Sequence, residues 1–246
     1  MRTLRAEWTK AITLRSIAGA IVAALLLPPL LAVASGMAFD GGGVAGRSFP
    51  VASHGFETAG FGQPLIILVA ALVTGTDYLD GQLRTTLAAT PRRDGVLAAK
   101  LLAITAVALL VGLVSTGAAV VLKHSILGEH ALRIDEFTPA MGWNLLGVAV
   151  NYALIGLIAA SVTIIARSLI VTLVVLVPVV LGLSISLLGV VPALRFLPDL
   201  AGMQLLTAYP GVGLLDPVPG GIVMAGWAVA LGVAARCCFR FRDTAG

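Results

Sequence analysis

Asp77 and Asp80, with Gly81 directly behind, place two carboxylates about one helical turn apart. Carboxylates at that spacing can hold a divalent metal for phosphoryl transfer. His124 and His130 form a second candidate, close to Glu129, Asp135 and Glu136. Their spacing matches no zinc pattern, and exposed polar loops have the same composition, so no metal ligands are assigned. Cys237 and Cys238 are adjacent. Neighbouring cysteines rarely form a structural disulfide, so the pair reads as small apolar residues ending a helix, with palmitoylation as the functional alternative. The only lysines are Lys10, Lys100 and Lys123, none in a Gly-x-x-x-x-Gly-Lys-Ser/Thr loop. The chain therefore has no nucleotide site of its own, no catalytic residue is assigned, and no cofactor is expected to be bound.

The Asp77/Asp80 pair resembles the start of the CDP-alcohol phosphatidyltransferase signature. That signature continues with Ala at 84, Arg at 85, Gly at 94, and Asp at 98 and 102. Here those positions hold Arg84, Thr85, Asp94, Ala98 and Leu102. Half of the metal ligands are missing, so the resemblance fails.

The elements around these residues are dictated by hydropathy. Of 246 residues, 59% are apolar and 11% charged, against about 25% charged in a soluble domain. So few charges cannot coat a soluble fold of this length. Six stretches carry no charge, of 24, 19, 22, 30, 27 and 19 residues, each bounded by the charged residues between Arg15 and Arg236. A bilayer core about 30 Å thick needs roughly 20 apolar helical residues to cross. The runs do not alternate, which argues against barrel strands. The expected fold is an all-α integral membrane protein, a single domain over 1–246. Its six spans fall at about 17–38, 59–76, 101–122, 143–166, 168–191 and 220–235. The first is too long for a cleaved signal peptide, and Pro28-Pro29 predict a kink within it. Residues 40–57 form an irregular Gly-rich loop, Arg167 marks a tight turn, and 192–219 read as short helices resting on the outer interface.

Twelve of the 16 basic residues fall in the two termini, the second loop and the fourth loop, and four in the other loops. The positive-inside rule then puts both termini in the cytosol. This asymmetry accounts for the net charge of +4 through topology and anionic lipid, without a nucleic-acid partner. Arg outnumbers Lys 13 to 3, the usage of a GC-rich prokaryotic genome, so the expected location is its plasma (inner) membrane. Residues 1–15 form an amphipathic helix in the inner interface. Leu4 and Trp8 share a face, while Arg2 and Lys10 point away.

Thr74 to Lys100 is similar to the first cytosolic loop of export-type ABC-transporter permeases, the type-two membrane-domain family. That loop reads Gly-x-Glu-Tyr-x-x-Gly-Thr-x-Arg-x-x-Leu-x-x-x-Pro-x-Arg. Gly75, Tyr78, Gly81, Arg84, Leu87, Pro91 and Arg93 match, while Asp77 replaces Glu and Gln82 replaces Thr. The entry segment Leu4 to Lys10, with Arg5, Glu7 and Trp8, and the stretch Phe196 to Gly202 resemble the same family. Residues 82–90 lack Pro and Gly, which allows a two-turn helix between Gly81 and Pro91. Leu83 and Leu87 share a face that can fill a groove on a partner, flanked by Arg84, Arg92 and Arg93.

The resemblance implies two permease copies, a homodimer, around a central pathway. Two separate ABC ATP-binding subunits would carry ATP and magnesium. Short coupling helices would switch the pathway as ATP binds. The expected cargo is lipophilic or amphipathic. The family's second and fifth spans border the cavity, so Gln63, Thr74, Ser184 and Ser186 are candidate lining residues. The alternative is that these small polar groups bond to their own or neighbouring helices. An ion-coupled secondary carrier is disfavoured because no run has a carboxylate at its middle. A lipid-modifying membrane enzyme is disfavoured by the failed signature.

Overall fold

The computed structural model describes residues 14–38, 50–78, 93–206 and 213–241. Among them there is no strand, and six helical segments are long and apolar enough to cross a membrane. We label the helices α1 Arg15–Met37, α2 Gln63–Gly75, α3 Arg93–Ile126, α4 Pro139–Ala166, α5 Leu169–Leu187, α6 Pro198–Gly202 and α7 Pro217–Phe241. A 3₁₀ segment, Phe56–Gly62, leads into α2 and completes its span. The end of the bundle where α1 begins and α7 ends is called the near end, and the opposite one the far end.

α4 is the hub, packing against α3, α7, α2 and α5, while α1 covers α3 and α2. α4 can be central because Ala149, Ala153, Ala159 and Ala160 are buried on it, and small residues let helix backbones approach closely in lipid. Thr138 caps its start by accepting from the Met141 amide, and Arg167 ends it in the left-handed region at φ 52°. The following Ser168 caps α5 at once, so α4 and α5 reverse across two residues. α5 and α7 bury little of their apolar surface, and Val174, Leu181, Ile222 and Val229 face outward.

Several boundaries differ from the sequence expectation. α3 begins eight residues before 101 and ends four after 122. Counting uncharged residues stopped at Lys100 and Lys123, yet both lysines are buried within the helix. Lys100 Nζ donates to the Val73 carbonyl at 2.9 Å, whereas Lys123 Nζ bonds Glu57 and lies 3.1 Å from Ser35 Oγ. A lysine with a partner does not end a span. α7 likewise extends to 217–241 rather than 220–235. The loop expected to run irregularly to 57 becomes 3₁₀ turns from Val51. α1 remains one α-helix through Pro28 and Pro29, both buried.

The segment expected to rest on the outer interface divides. Pro192–Phe196 has no buried residue, but α6 is embedded in the bundle: Asp199, Leu200, Ala201 and Gly202 are all buried. α6 packs on α7 and also touches α4.

Candidate functional site

The near end gathers the roots of the motif-bearing loop. α2 is followed by a 3₁₀ turn, Thr76–Tyr78, and α3 begins at Arg93. Tyr78 packs against a cluster of Leu97, Ile164, Ala235 and Phe239, which draws α3, α4 and α7 together. Lys100 satisfies a carbonyl at the end of α2, where helix carbonyls lose their intrahelical partners. Arg236 holds Asp94 through two exposed contacts of 3.1 and 3.3 Å, tying α7 to the first turn of α3. The loop is thus rooted on a platform built from four spans. Gly81, Leu83, Arg84, Leu87, Pro91 and Arg92 lie outside the described residues, and so do Arg5, Glu7, Trp8 and Lys10. Asp77 and Arg93 are described through their backbone only.

The second candidate lies toward the far end. A cavity of about 210 Å³ is bordered by Gly60, Gln63, Gly182, Ser184 and Asp199, with apolar walls from α5, α6 and the turn after it. Gln63 Nε2 donates to Asn151 Oδ1 at 2.8 Å, and Asn151 Nδ2 donates to the Gly202 carbonyl at 2.9 Å. One buried amide chain therefore joins α2, α4 and α6. The Tyr152 hydroxyl donates to the Ala59 carbonyl at 2.6 Å, fixing the 3₁₀ lead-in of α2 on α4. A Cβ at Gly202 would lie 2.3 Å from Met224 Sδ and 2.7 Å from Asn151 Nδ2, so a larger residue there would displace both side chains.

α5 changes its winding at this cavity. Val179–Leu183 is π-helical, and Gly182 sits at φ 123°, where a residue with a Cβ is strained. π-bulges recur at functional sites because they reorient a side chain within a helix. The next residue, Ser184, is turned inward and bonds Asp199 Oδ2, with the Val179 carbonyl as its second acceptor at 3.2 Å. Asp199 Oδ1 is buried and makes no well-formed hydrogen bond, although the Asp199 and Leu200 amides lie close to the carboxylate. Burial pushes the Asp199 carboxyl above the usual carboxylate range, against the pull of Ser184 and the first amides of α6.

The four residues nominated for a pathway separate. Gln63 and Ser184 border the same cavity. Thr74 is buried at the near end and donates to its own helix at Ala70, 2.6 Å away. Ser186 faces outward and donates to the Gly182 carbonyl at 2.8 Å. The hydroxyls of Thr74 and Ser186 thus follow the backbone-bonding alternative. Sequence reasoning missed Asn151, Asp199 and Lys100. Asn151 is a polar side chain at the middle of an uncharged run, which is a readable signal. Asp199 gave none beyond its place in an outer segment and in the family-like stretch Phe196 to Gly202.

No curated protein matches the chain. A family model described as "ABC-2 family transporter protein" matches residues 3–187, from before α1 to the end of α5. The match spans the loop whose roots form the near-end platform, together with five of the six candidate spans. The chain belongs to the ABC-2 family of transporter proteins, as a multi-pass membrane permease.

Proposed function

We propose that this chain is the non-catalytic permease subunit of an ATP-driven exporter, with ATP and magnesium held by a separate ABC ATP-binding subunit. Family membership is the observation that carries the reading. Residues 79–92 form the coupling element: Leu83 and Leu87 insert into the ATPase, Arg84 orients the short helix, and Arg92 and Arg93 pair with acidic groups there. Asp77, Tyr78, Gly81 and Pro91 shape the loop, while the segment holding Arg5, Glu7, Trp8 and Lys10 lies along the inner interface.

The anchored loop roots support a mechanical role. A lever transmits force only if its base is rigid, and Tyr78, Lys100 and Asp94 are each fixed to helices of the bundle. The sparsely buried faces of α5 and α7 are consistent with a second copy packing against one and lipid against the other. We assign the complex to a prokaryotic plasma membrane, with both termini cytosolic and a lipophilic or amphipathic cargo moved outward through a homodimer.

The test is affinity purification of the tagged chain in mild detergent with its neighbouring gene products co-expressed. Co-purification of a subunit that hydrolyses ATP supports the reading. Ion-gradient-driven transport by the pure chain alone would favour a secondary carrier instead.

A further inference from the structure

The cavity between α2, α5 and α6 combines features that a merely structural void does not need. Its polar border includes a carboxyl group with one oxygen bonded to Ser184 and the other, Oδ1, without a well-formed hydrogen bond. Asp199 is only 6% exposed, so water cannot freely satisfy that oxygen. Among the described residues, none that borders the space is basic. The rest of the wall is apolar, including Val180, Leu181, Ile185 and Met203. The π-helical turn, with Gly182 allowing the left-handed backbone, aims Ser184 at Asp199.

A buried acceptor left unmade is costly, and a buried carboxylate more so unless paired. What completes this site is a donor carrying positive charge. The apolar walls require that the charge be attached to hydrocarbon. A cavity of about 210 Å³ has room for a small head group and its first methylenes.

We propose that this cavity binds the nitrogen head of an organic cation bearing N–H donors, with Asp199 as the anchoring acceptor. Ser184 orients the carboxylate and Gln63 forms the opposite polar border. The inference rests on the exporter reading only for its meaning, since it would make cationic amphiphiles the cargo class; the site itself is a property of this chain.

Binding is measured on the full chain in neutral phosphatidylcholine nanodiscs, without any ATPase. The probes are n-hexylammonium, n-hexyltrimethylammonium and hexan-1-ol, which share their hydrocarbon and differ in charge and donors. The expected result is that hexylammonium binds about ten-fold or more tightly than either of the others, as a charge-assisted hydrogen bond requires. Asp199→Asn should abolish that preference, and Ser184→Ala should reduce it. Thermal unfolding of each variant checks its fold, and the wild-type probe ratio stands without any variant. Equal binding of hexylammonium and hexanol by the wild type would overturn the proposal, as would an Asn variant that is folded and keeps the preference. ATP-driven transport by the assembled complex without the ammonium preference would sink the site alone. An ammonium preference in a chain that binds no ATPase would sink the exporter reading alone.

Discussion

Ser184 and Asp199, on different helices and 15 residues apart in sequence, are in direct hydrogen-bond contact across the far-end cavity. The contact links the π-distorted end of the fifth span to a short helix embedded beside the sixth. Ser184 Oγ has only one proton for two acceptors, the carboxylate and the Val179 carbonyl. When Asp199 is protonated it can donate to Ser184, which then serves Val179. When it is ionised, Ser184 must turn to the carboxylate.

That competition has a consequence for stability. Burial raises the folded-state titration of Asp199 above its unfolded value. The folded form then binds more protons in the window between the two values, so stability falls as pH rises through it. Asp199→Asn removes the titrating group. The unfolding temperature in detergent should decline for the wild type as pH rises above the ordinary carboxylate range, and decline less for the variant. Parallel curves would place the carboxylate in water.

The close contact at Gly202 gives a packing test. Gly202→Ala drives a methyl into Met224 and Asn151, and overpacking costs about 1–3 kcal/mol. Gly232 on the sixth span has nothing within 4 Å of the same added atom. Gly232→Ala should therefore be neutral or slightly stabilising, since alanine favours helix. Thermal unfolding of the two variants side by side checks the embedded position of α6.

Topology can be read with reporters. One fused after Gly246 and one inserted near Arg92 should both report the cytosol, and one near Glu129 the outside. Six spans require the Arg92 and Glu129 reporters to disagree. If they agree, a span has been miscounted.

Much of the bundle was legible because lipid imposes a simple rule. Uncharged runs such as 137–166 and 168–194 have to cross as helices. The family was legible in the loop pattern from Gly75 to Arg93. What could not be read was where charge is tolerated. Lys100 and Lys123 look like span ends, but the first caps a carbonyl on α2 and the second neutralises Glu57, and these partners lie 27 and 66 residues away. Asp199 fell in a segment expected to rest on the outer interface for the same reason, because its burial depends on the fit of Gly202 against α4 and α7. Gln63 and Ser184 could be nominated from residue type. Their convergence depends on the π-turn, which the string Val179–Leu183 does not announce.

The central claim is that residues 79–92 transmit ATP hydrolysis to this chain. Its most direct test is pull-down of the ATP-binding subunit and stimulation of its ATP hydrolysis by the reconstituted chain, for Leu87→Asp beside Arg93→Ala. Losing a buried leucine contact costs about 2–5 kcal/mol, and an exposed charge pair contributes about 0–1 kcal/mol. Leu87→Asp should therefore abolish capture and stimulation, Arg93→Ala should weaken them slightly, and both variants should keep the wild-type unfolding temperature. Full capture and full stimulation with Leu87→Asp would contradict the account and shift attention to the segment around Trp8.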